Sequence, residues 1–442
     1  MDAAFWIPGA TPLPTPTRAE LAELPEITAP KAGRRVFKVV TPVIHSDDDL
    51  AAALLWHYTN AVECIKDGLE RVDLILDVSL IDAYPQNWSV TAAWKPFFKL
   101  DRRHIAAFAV ELVWRECLRD RGIRLAIHRL DAASDTDTHY DVNLVEFIKH
   151  RFLHIVDTYN NQFHSNENKS DYLPHRNKPS WPNVSEPVAV LGAGGPIPTS
   201  AIELLKQNHA VILCDYEPLE TIASRGAPHQ PKGAPLPKLP ILPPHREATF
   251  DILDRAAMRS AITGCATLIN CACTRYTQND FRVNTVGALV AAEEAIAAGV
   301  KRIVTTGPQV ITLEPYTGFH HDHDVPIDTP GRPGCNPYGL SKHIGQELVR
   351  VLCEHSDTQG ITLLFNGLAT PESIHAIDYM TSFADAAGAI QAAVEADANG
   401  ITYAALHVPA AMPHGHFRLD RIKDVLGWMP SDQLPTIWRT DV

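Results

Sequence analysis

The residues from Val188 to Asp215 constrain what this chain can fold into more than any other stretch. The apolar run from Val188 to Leu191 has the length of a strand and ends at glycines. Ile202, Leu204 and Leu205 then recur at helical spacing, and a second apolar run ends in Asp215. A strand, a glycine turn, a helix and a second strand predict one βαβ unit of a parallel α/β sheet.

The glycine turn has the chemistry of a dinucleotide site. Gly192, Gly194 and Gly195 allow the backbone to approach a pyrophosphate, and the N-terminus of the following helix offers unpaired N–H groups and a positive dipole end. An acid at the tip of the second strand accepts hydrogen bonds from a ribose diol and repels a 2′-phosphate. Asp215 therefore favours NAD over NADP.

The turn departs from the common pattern after Gly195. Ile197 or Pro198 stands where a third glycine is usual, and the proline lacks one N–H donor although it is tolerated in a first helical turn. Taken alone, the motif also fits a strand-to-helix turn in another kind of α/β domain.

Composition restricts the class of protein. The chain has 442 residues, 45% of them hydrophobic and 21% charged, which predicts packed globular domains. A net charge of -13 argues against nucleic acid or an anionic membrane as the main partner. The cysteines form no CxxC pair, and neither a signal peptide nor a membrane-spanning run is apparent. We therefore expect a cytoplasmic protein in a reducing compartment.

The N-terminal half predicts a separate, smaller α/β domain. Residues 1–34 are rich in proline and predict an extended arm, whereas residues 35–162 alternate between strand and helix patterns. The predicted elements are strands at Val36 to Ile44, Val72 to Leu80 and Arg124 to Leu130, and helices at Asp47 to Lys66, Asp101 to Arg121 and Asp141 to Asn160. Residues 163–187 predict a linker to a domain of residues 188–442, in which the proline-rich stretch 228–244 predicts a surface loop.

Polar residues follow each of the three predicted strands of this smaller domain. They are His45, Ser46 and Asp47, then Asp77, Ser79 and Asp82, then Asp131, Ser134 and Asp135. Ligands bind beyond the carboxyl ends of strands in open α/β sheets, so a ligand or cation site is one interpretation. The other is that these residues cap helices, as Asp and Ser commonly do.

A tyrosine and a lysine four residues apart follow in the second domain, in Asn336-Pro-Tyr-Gly-Leu-Ser-Lys. On a helix, Tyr338 and Lys342 project from one face. A nearby ammonium favours the charged form of a phenol and lowers its pKa, which makes a general base. A tyrosine and a lysine at this spacing, without other motifs, are also common on protein surfaces.

Further motifs accompany this pair. They are Asp251-Ile252, Asn284, the threonines Thr305 and Thr306, Ser382 to Ala387, and Leu426-Gly-Trp-Met-Pro. Together with the glycine turn and Tyr338-x-x-x-Lys342, residues 188–442 resemble the extended short-chain dehydrogenase/reductase family of sugar epimerases and dehydrogenases. Within it, the compact length and the Pro-Ile-Asp-Thr-Pro-Gly-Arg-Pro-Gly run are most similar to uronate dehydrogenases.

The resemblance implies a Rossmann fold, a doubly wound parallel sheet with a small substrate lobe. It implies that Tyr338 takes a proton from a substrate hydroxyl, with Lys342, Thr306 or Thr305, and Asn284 as the other catalytic residues. It also implies NAD as cofactor, held by Gly192, Gly194, Gly195, Ile197, Asp215, Asp251, Ile252, Cys271, Ala272 and Lys342. Members often pair through the helices bearing Asn284 and Tyr338, so we expect a homodimer.

Two further departures from the family concern the substrate. The catalytic hydroxyl of the family falls where this chain has Gly307, and an arginine common after the sixth strand is Phe365 here. By position, Arg332, Arg275 and His320 are the candidate anchors for a charged substrate.

A run of His and Asp from His320 to Asp324 has metal-ligand residue types. A zinc site and a polar loop beside the substrate are the two interpretations, and the close spacing favours the loop. We therefore expect no metal.

The sequence thus predicts an NAD-dependent oxidoreductase acting on a small-molecule substrate, a sugar or sugar acid. An NAD-dependent sugar epimerase is the alternative enzyme. A catalytically silent, cofactor-binding regulatory protein is the alternative outside enzymes, since Gly307 and Pro198 depart from the family pattern.

Overall fold

The computed structural model describes residues 36–40, 43–77, 81, 102–119, 121–130, 186–227, 233–308, 331–369, 380–397, 400–410 and 419–431. These residues form two compact units, a first unit within 36–130 and a second unit within 186–431. The predicted arm, the predicted helix at 141–160 and most of the predicted linker lie outside the described residues. No helix in the described ranges is long and apolar enough to cross a membrane.

The first unit has a small α/β fold with a parallel sheet, as predicted. Its strands are β1 (Val36–Val40), β2 (Arg71–Asp77) and β3 (Arg124–Leu130), paired in parallel in that order, and its helices are α1 (Asp47–Lys66) and α2 (Arg102–Leu118). β1 covers Val36–Val40 of the predicted strand from Val36 to Ile44. Ile44 itself forms an isolated bridge to Ile81.

The polar residues after β1 serve the helix rather than an open site. The Ser46 hydroxyl accepts a hydrogen bond from the N–H of Asp49 at 3.1 Å and caps α1. Asp47 accepts a hydrogen bond from the fully buried Arg102 of α2. At this strand end, the capping interpretation is confirmed; Ser79, Asp82, Asp131, Ser134 and Asp135 lie outside the described residues.

The second unit is a doubly wound parallel sheet with the Rossmann strand order. Its strands are β4 (Val188–Leu191), β5 (Val211–Asp215), β6 (Arg246–Thr249), β7 (Thr267–Asn270), β8 (Arg302–Pro308), β9 (Gln359–Phe365) and β12 (Tyr403–His407). They lie in the order β12-β9-β8-β7-β4-β5-β6, and all pair in parallel. The chain order reverses between β4 and β7, which is where ligands bind in such sheets.

Helices cover both faces of this sheet. They are α3 (Pro196–Leu205), α4 (Leu219–Arg225), α5 (Arg255–Ile262), a π-helix (Phe281–Gly287), α6 (Ala288–Ala297), α7 (Pro337–Glu354), α8 (Phe383–Glu395) and α9 (Asp420–Leu426). α3 and α8 pack together over Val188, Val190 and Val304, while the π-helix, α6 and α7 pack together on the opposite face. A short parallel pair, β10 (Gly367–Ala369) and β11 (Met380–Ser382), lies beyond β9.

The proline-rich stretch before β6 has no regular secondary structure in its described part, residues 233–245. Its peptide bonds before Pro240 and Pro244 are cis. The side chains of Leu236, Leu239 and Leu242 are exposed there. The surface loop expected from the prolines is present at this place.

A close helix contact in the second unit joins α7 to the π-helix. A Cβ added at Gly345 of α7 would lie 2.1 Å from the carbonyl oxygen of Asn284. The Thr285 hydroxyl donates to the carbonyl of Ser341 at 2.7 Å across the same contact. Only a residue without a side chain fits at this crossing, and the contact fixes the helix that carries Tyr338.

Replacing Gly345 by alanine should therefore destabilise the protein. We expect a loss near the upper end of the about 1–3 kcal/mol that overpacking costs, measured as the change in free energy of unfolding in urea. Gly339→Ala is the matched control on the same helix, since its nearest contact for a Cβ is 3.6 Å away. The control should keep or raise stability, because alanine favours the helix. Equal losses in the two variants would contradict the role given to the crossing.

Candidate active site

A cavity of about 650 Å³ opens among the described residues of the second unit, at the carboxyl ends of its strands. The predicted cofactor-binding residues all line it: Gly192, Gly194, Gly195, Ile197, Asp215, Asp251, Ile252, Cys271, Ala272 and Lys342. The predicted catalytic residues Tyr338 and Thr306 line it as well, whereas Thr305 and Asn284 are not among its lining residues. A cavity of this size accommodates a ligand of dinucleotide class and a small substrate.

The turn after β4 brings the backbone close to its neighbours. Gly192 has φ +70°, and a Cβ there would lie 2.8 Å from the Cα of Ala272. At Gly194 a Cβ would lie 2.4 Å from the side chain of Ile222. Both positions require glycine, one for its left-handed backbone and both for lack of space.

Asp215 holds this turn with its carboxylate. One oxygen accepts a hydrogen bond from the N–H of Gly194 at 2.8 Å, and the other accepts from the N–H of Tyr216 at 2.8 Å. Burial raises the pKa of this carboxyl above its usual value, and the two backbone hydrogen bonds act in the opposite direction. An acidic side chain at this place therefore shapes the turn as well as facing the cavity.

The N-terminus of α3 offers a reduced set of donors. Pro196 and Pro198 have no N–H, and the N–H of Gly195 donates to the carbonyl of Gly192 at 2.9 Å. Among the described hydrogen bonds of this turn, the N–H of Ile197 has no acceptor. Ile197 thus supplies the helix donor directed to an anion in the cavity.

The far end of the cavity lies beyond β5 and β6. Arg282 of the π-helix donates to both carboxylate oxygens of Asp251, at 3.0 and 2.9 Å. The Ile252 side chain packs against Gly287, where a Cβ would lie only 2.8 Å away. The Asp251–Arg282 ion pair, which no sequence pattern indicated, fixes Asp251 at the wall.

Asn284 connects three segments rather than facing the cavity. Its amide oxygen accepts from the N–H of Thr274 at 3.1 Å, and its amide nitrogen donates to the carbonyl of Thr274 at 2.9 Å and to the hydroxyl of Ser341 at 3.0 Å. The segment after β7, the π-helix and α7 are tied together by this one buried side chain. Asn284 therefore orients the elements that carry the cavity residues.

Tyr338 and Lys342 both lie on α7 and both line the cavity, as their spacing predicts. The Lys342 ammonium donates to the carbonyls of Ala272 at 3.1 Å and Thr306 at 3.3 Å. The Arg275 guanidinium lies over the Tyr338 ring, 5.0 Å from its centroid. Burial raises the pKa of Tyr338 above its usual value, Cys273 adds to this, and Arg275 opposes it.

The two threonines of β8 have different surroundings. The Thr305 hydroxyl lies 2.7 Å from that of Thr362, which lies 2.7 Å from the Tyr403 hydroxyl, so Thr305 belongs to a hydrogen-bonded row inside the sheet. Thr306 lines the cavity next to Cys271. Of the two, Thr306 is the hydroxyl within the cavity.

Gly307 faces a side chain that the sequence did not indicate. A Cβ at this position would lie 1.9 Å from the amide nitrogen of Gln346 and 3.0 Å from Leu364. That amide nitrogen is buried and has no hydrogen-bond partner among the described residues. Gln346 thus occupies the space that a side chain at 307 would need.

The candidate anchors for a charged substrate are separated by the structure. Arg275 lines the cavity, whereas Arg332 is exposed and is not among the lining residues. His320 and the rest of the run to Asp324 lie outside the described residues. Within the described ranges, no group of His, Cys, Asp and Glu is arranged to hold a metal ion.

Comparison with known proteins gives structural matches only. No protein-family model and no curated protein matches the chain. Among solved structures, uronate dehydrogenase from Agrobacterium tumefaciens is 20% identical, with 59% of this chain and 91% of that chain covered and a TM-score of 0.47. Glucuronic acid dehydrogenase from Chromohalobacter salexigens is 20% identical, with 58% and 88% covered and a TM-score of 0.46.

A short-chain dehydrogenase/reductase superfamily protein from Agrobacterium tumefaciens with bound NAD is also similar, at 17% identity, with 57% and 94% covered and a TM-score of 0.43. The assignment of the second unit as a Rossmann fold rests on its own strand order.

A side chain at Gly307 would displace the amide of Gln346. We expect Gly307→Ala to lower the free energy of unfolding by about 0.5–1.5 kcal/mol, since this amide ends a flexible side chain that can adopt another rotamer. In a Gln346→Ala background the same change should cost clearly less, so the double-mutant cycle should show coupling. Additive effects of the two changes would show that Gln346 does not fill this space.

Proposed function

We propose that the protein is an NAD-dependent oxidoreductase acting on a hydroxyl of a sugar or sugar acid. The observation that carries the proposal is that Tyr338, Lys342 and the glycine turn line one cavity. A buried phenol, a lysine and a glycine turn with a helix N–H donor, all in one cavity, form an arrangement suited to hydride transfer coupled to proton transfer.

The described residues fit the proposed cofactor. Gly192, Gly194 and Gly195 line the cavity without side chains, which allows a pyrophosphate to approach the backbone closely. The N–H of Ile197 is available to a phosphate oxygen. Asp215 stands at the tip of β5, where its negative charge favours a ribose diol over a 2′-phosphate.

The chain's own residues divide the work of the reaction. A bound NAD would supply the hydride acceptor. Tyr338 accepts the hydroxyl proton at its phenolate oxygen, and the Thr306 hydroxyl orients the substrate oxygen. Lys342, held by the carbonyls of Ala272 and Thr306, fixes the backbone around the phenol and adds positive charge.

Two other functions make different predictions. A sugar epimerase would retain its NAD through turnover, so NAD would co-purify with the protein. A silent regulatory protein would bind NAD without oxidising any sugar; Pro198, which removes a donor, and the filled space at Gly307 favour this alternative.

A homodimer pairing through the π-helix and α7 remains part of the proposal, and sedimentation tests it.

Replacing Tyr338 by phenylalanine should remove turnover while keeping cofactor binding. We expect kcat to fall by roughly 10²- to 10⁴-fold, because proton transfer loses its base. NADH formation with a panel of sugars and uronates measures turnover, and tryptophan fluorescence measures NAD binding. Tyr403→Phe, which removes a hydroxyl inside the sheet, is the matched control and should keep kcat. Full activity in Tyr338→Phe would exclude the mechanism.

Neutralising Asp215 should weaken the preference for NAD. In Asp215→Asn the repulsion of a 2′-phosphate is lost, and one backbone N–H loses its acceptor, so NAD affinity falls as well. We expect the ratio of the two dissociation constants, NADP over NAD, to fall by roughly tenfold in calorimetric titrations. Glu217→Gln, two residues further and paired with Arg225, should leave the ratio unchanged. An unchanged ratio in Asp215→Asn would remove Asp215 from cofactor selection.

A further inference from the structure

A second positive charge, besides the lysine of the Tyr338-x-x-x-Lys342 motif, lies beside the Tyr338 ring. The Lys342 ammonium donates to the carbonyls of Ala272, just after β7, and of Thr306, within β8. The Arg275 guanidinium, on the segment after β7, lies 5.0 Å from the centre of the Tyr338 ring.

The geometry at Arg275 favours a charged phenol over a neutral one. A guanidinium carries its charge at every working pH, so its field on the ring is permanent. A cation over an aromatic face is attracted to the ring, and the attraction grows when the ring carries the negative charge of a phenolate. Among the described residues, the groups that act on the Arg275 guanidinium are Tyr338 and Cys273, and no carboxylate is one of them.

The other groups facing Tyr338 act differently. Cys273 comes from the same segment as Arg275, and a thiolate there would disfavour the phenolate. The neutral ring of Tyr276 lies 6.0 Å from the Tyr338 ring. Lys342 comes from Tyr338's own helix and is held by two carbonyls. Burial itself also disfavours the phenolate, so a base at this place requires a compensating cation.

We propose that Arg275 is a positioning residue for the proton-transfer step: its guanidinium, lying over the ring, holds Tyr338 and stabilises its phenolate. The inference rests on the proposed function, in which Tyr338 is the base. It assigns to the segment after β7 a role that the tyrosine–lysine motif alone does not contain.

The direct test replaces Tyr338 by 3,5-difluorotyrosine, whose phenol is more acidic than that of tyrosine and therefore titrates at lower pH. The fluorine NMR shift is followed against pH in the full chain, with and without NAD, so this readout needs no turnover. With Arg275→Met, the pKa of the phenol should rise by about 1 pH unit, because the stabilising charge is lost while the apolar stem remains. Arg275→Lys should recover at least half of the difference.

Arg259→Met is the matched control, since it removes an exposed guanidinium of α5 that is not among the residues lining the cavity. It should move the phenol titration by less than about 0.3 pH units, because solvent screens an exposed charge outside the cavity. Arg275→Met shifting the titration no more than this control, with the fold intact by circular dichroism, would overturn the proposal. So would a titration in Arg275→Lys that equals that in Arg275→Met.

The kinetic arm separates this inference from the proposed function. If the enzyme oxidises sugars, the acid limb of kcat/KM should move to higher pH in Arg275→Met by the same amount as the fluorine titration. Below that limb, kcat/KM should be about tenfold lower than in the unaltered protein. If the fluorine titration moves but no sugar is oxidised, the oxidoreductase proposal fails while the assignment of Arg275 stands.

Discussion

The contact between α7 and the π-helix is the interaction on which the site depends. It brings two backbones so close that Gly345 has no room for a Cβ against the carbonyl of Asn284. Asn284 and Thr285 then hydrogen bond to Ser341, in the turn of α7 between Tyr338 and Lys342. Because these hydrogen bonds are buried, a shift of α7 would leave polar groups unsatisfied, and the position of the phenol is strongly determined.

The electrostatics of the cavity follow from burial. Tyr338 is buried and Asp215 is partly buried, and burial raises the pKa of each. Hydrogen bonds from backbone N–H groups oppose this shift at Asp215. At Tyr338 the shift is opposed by Arg275, whose guanidinium lies over the ring. The charged forms of the two groups are thus favoured by different means, by backbone dipoles at Asp215 and by a cation at Tyr338.

The structure explains what two departures from the family pattern, at Pro198 and at Gly307, do to their surroundings. Pro196 and Pro198 narrow the donors of the first turn of α3 to the N–H of Ile197. The side chain that Gly307 lacks is replaced in space by Gln346 from α7.

The sequence by itself determined the elements of the second unit and their parallel arrangement, because hydrophobic runs, glycines and spacing act locally. It also identified the residues that line the cavity at the glycine turn, since their role follows from the turn they occupy. The position of Gln346 against Gly307, the Arg282–Asp251 ion pair and the place of Arg275 over Tyr338 were decided only by tertiary structure. Each joins residues distant in sequence whose distance in space depends on how the helices cross, and no local pattern encodes that crossing.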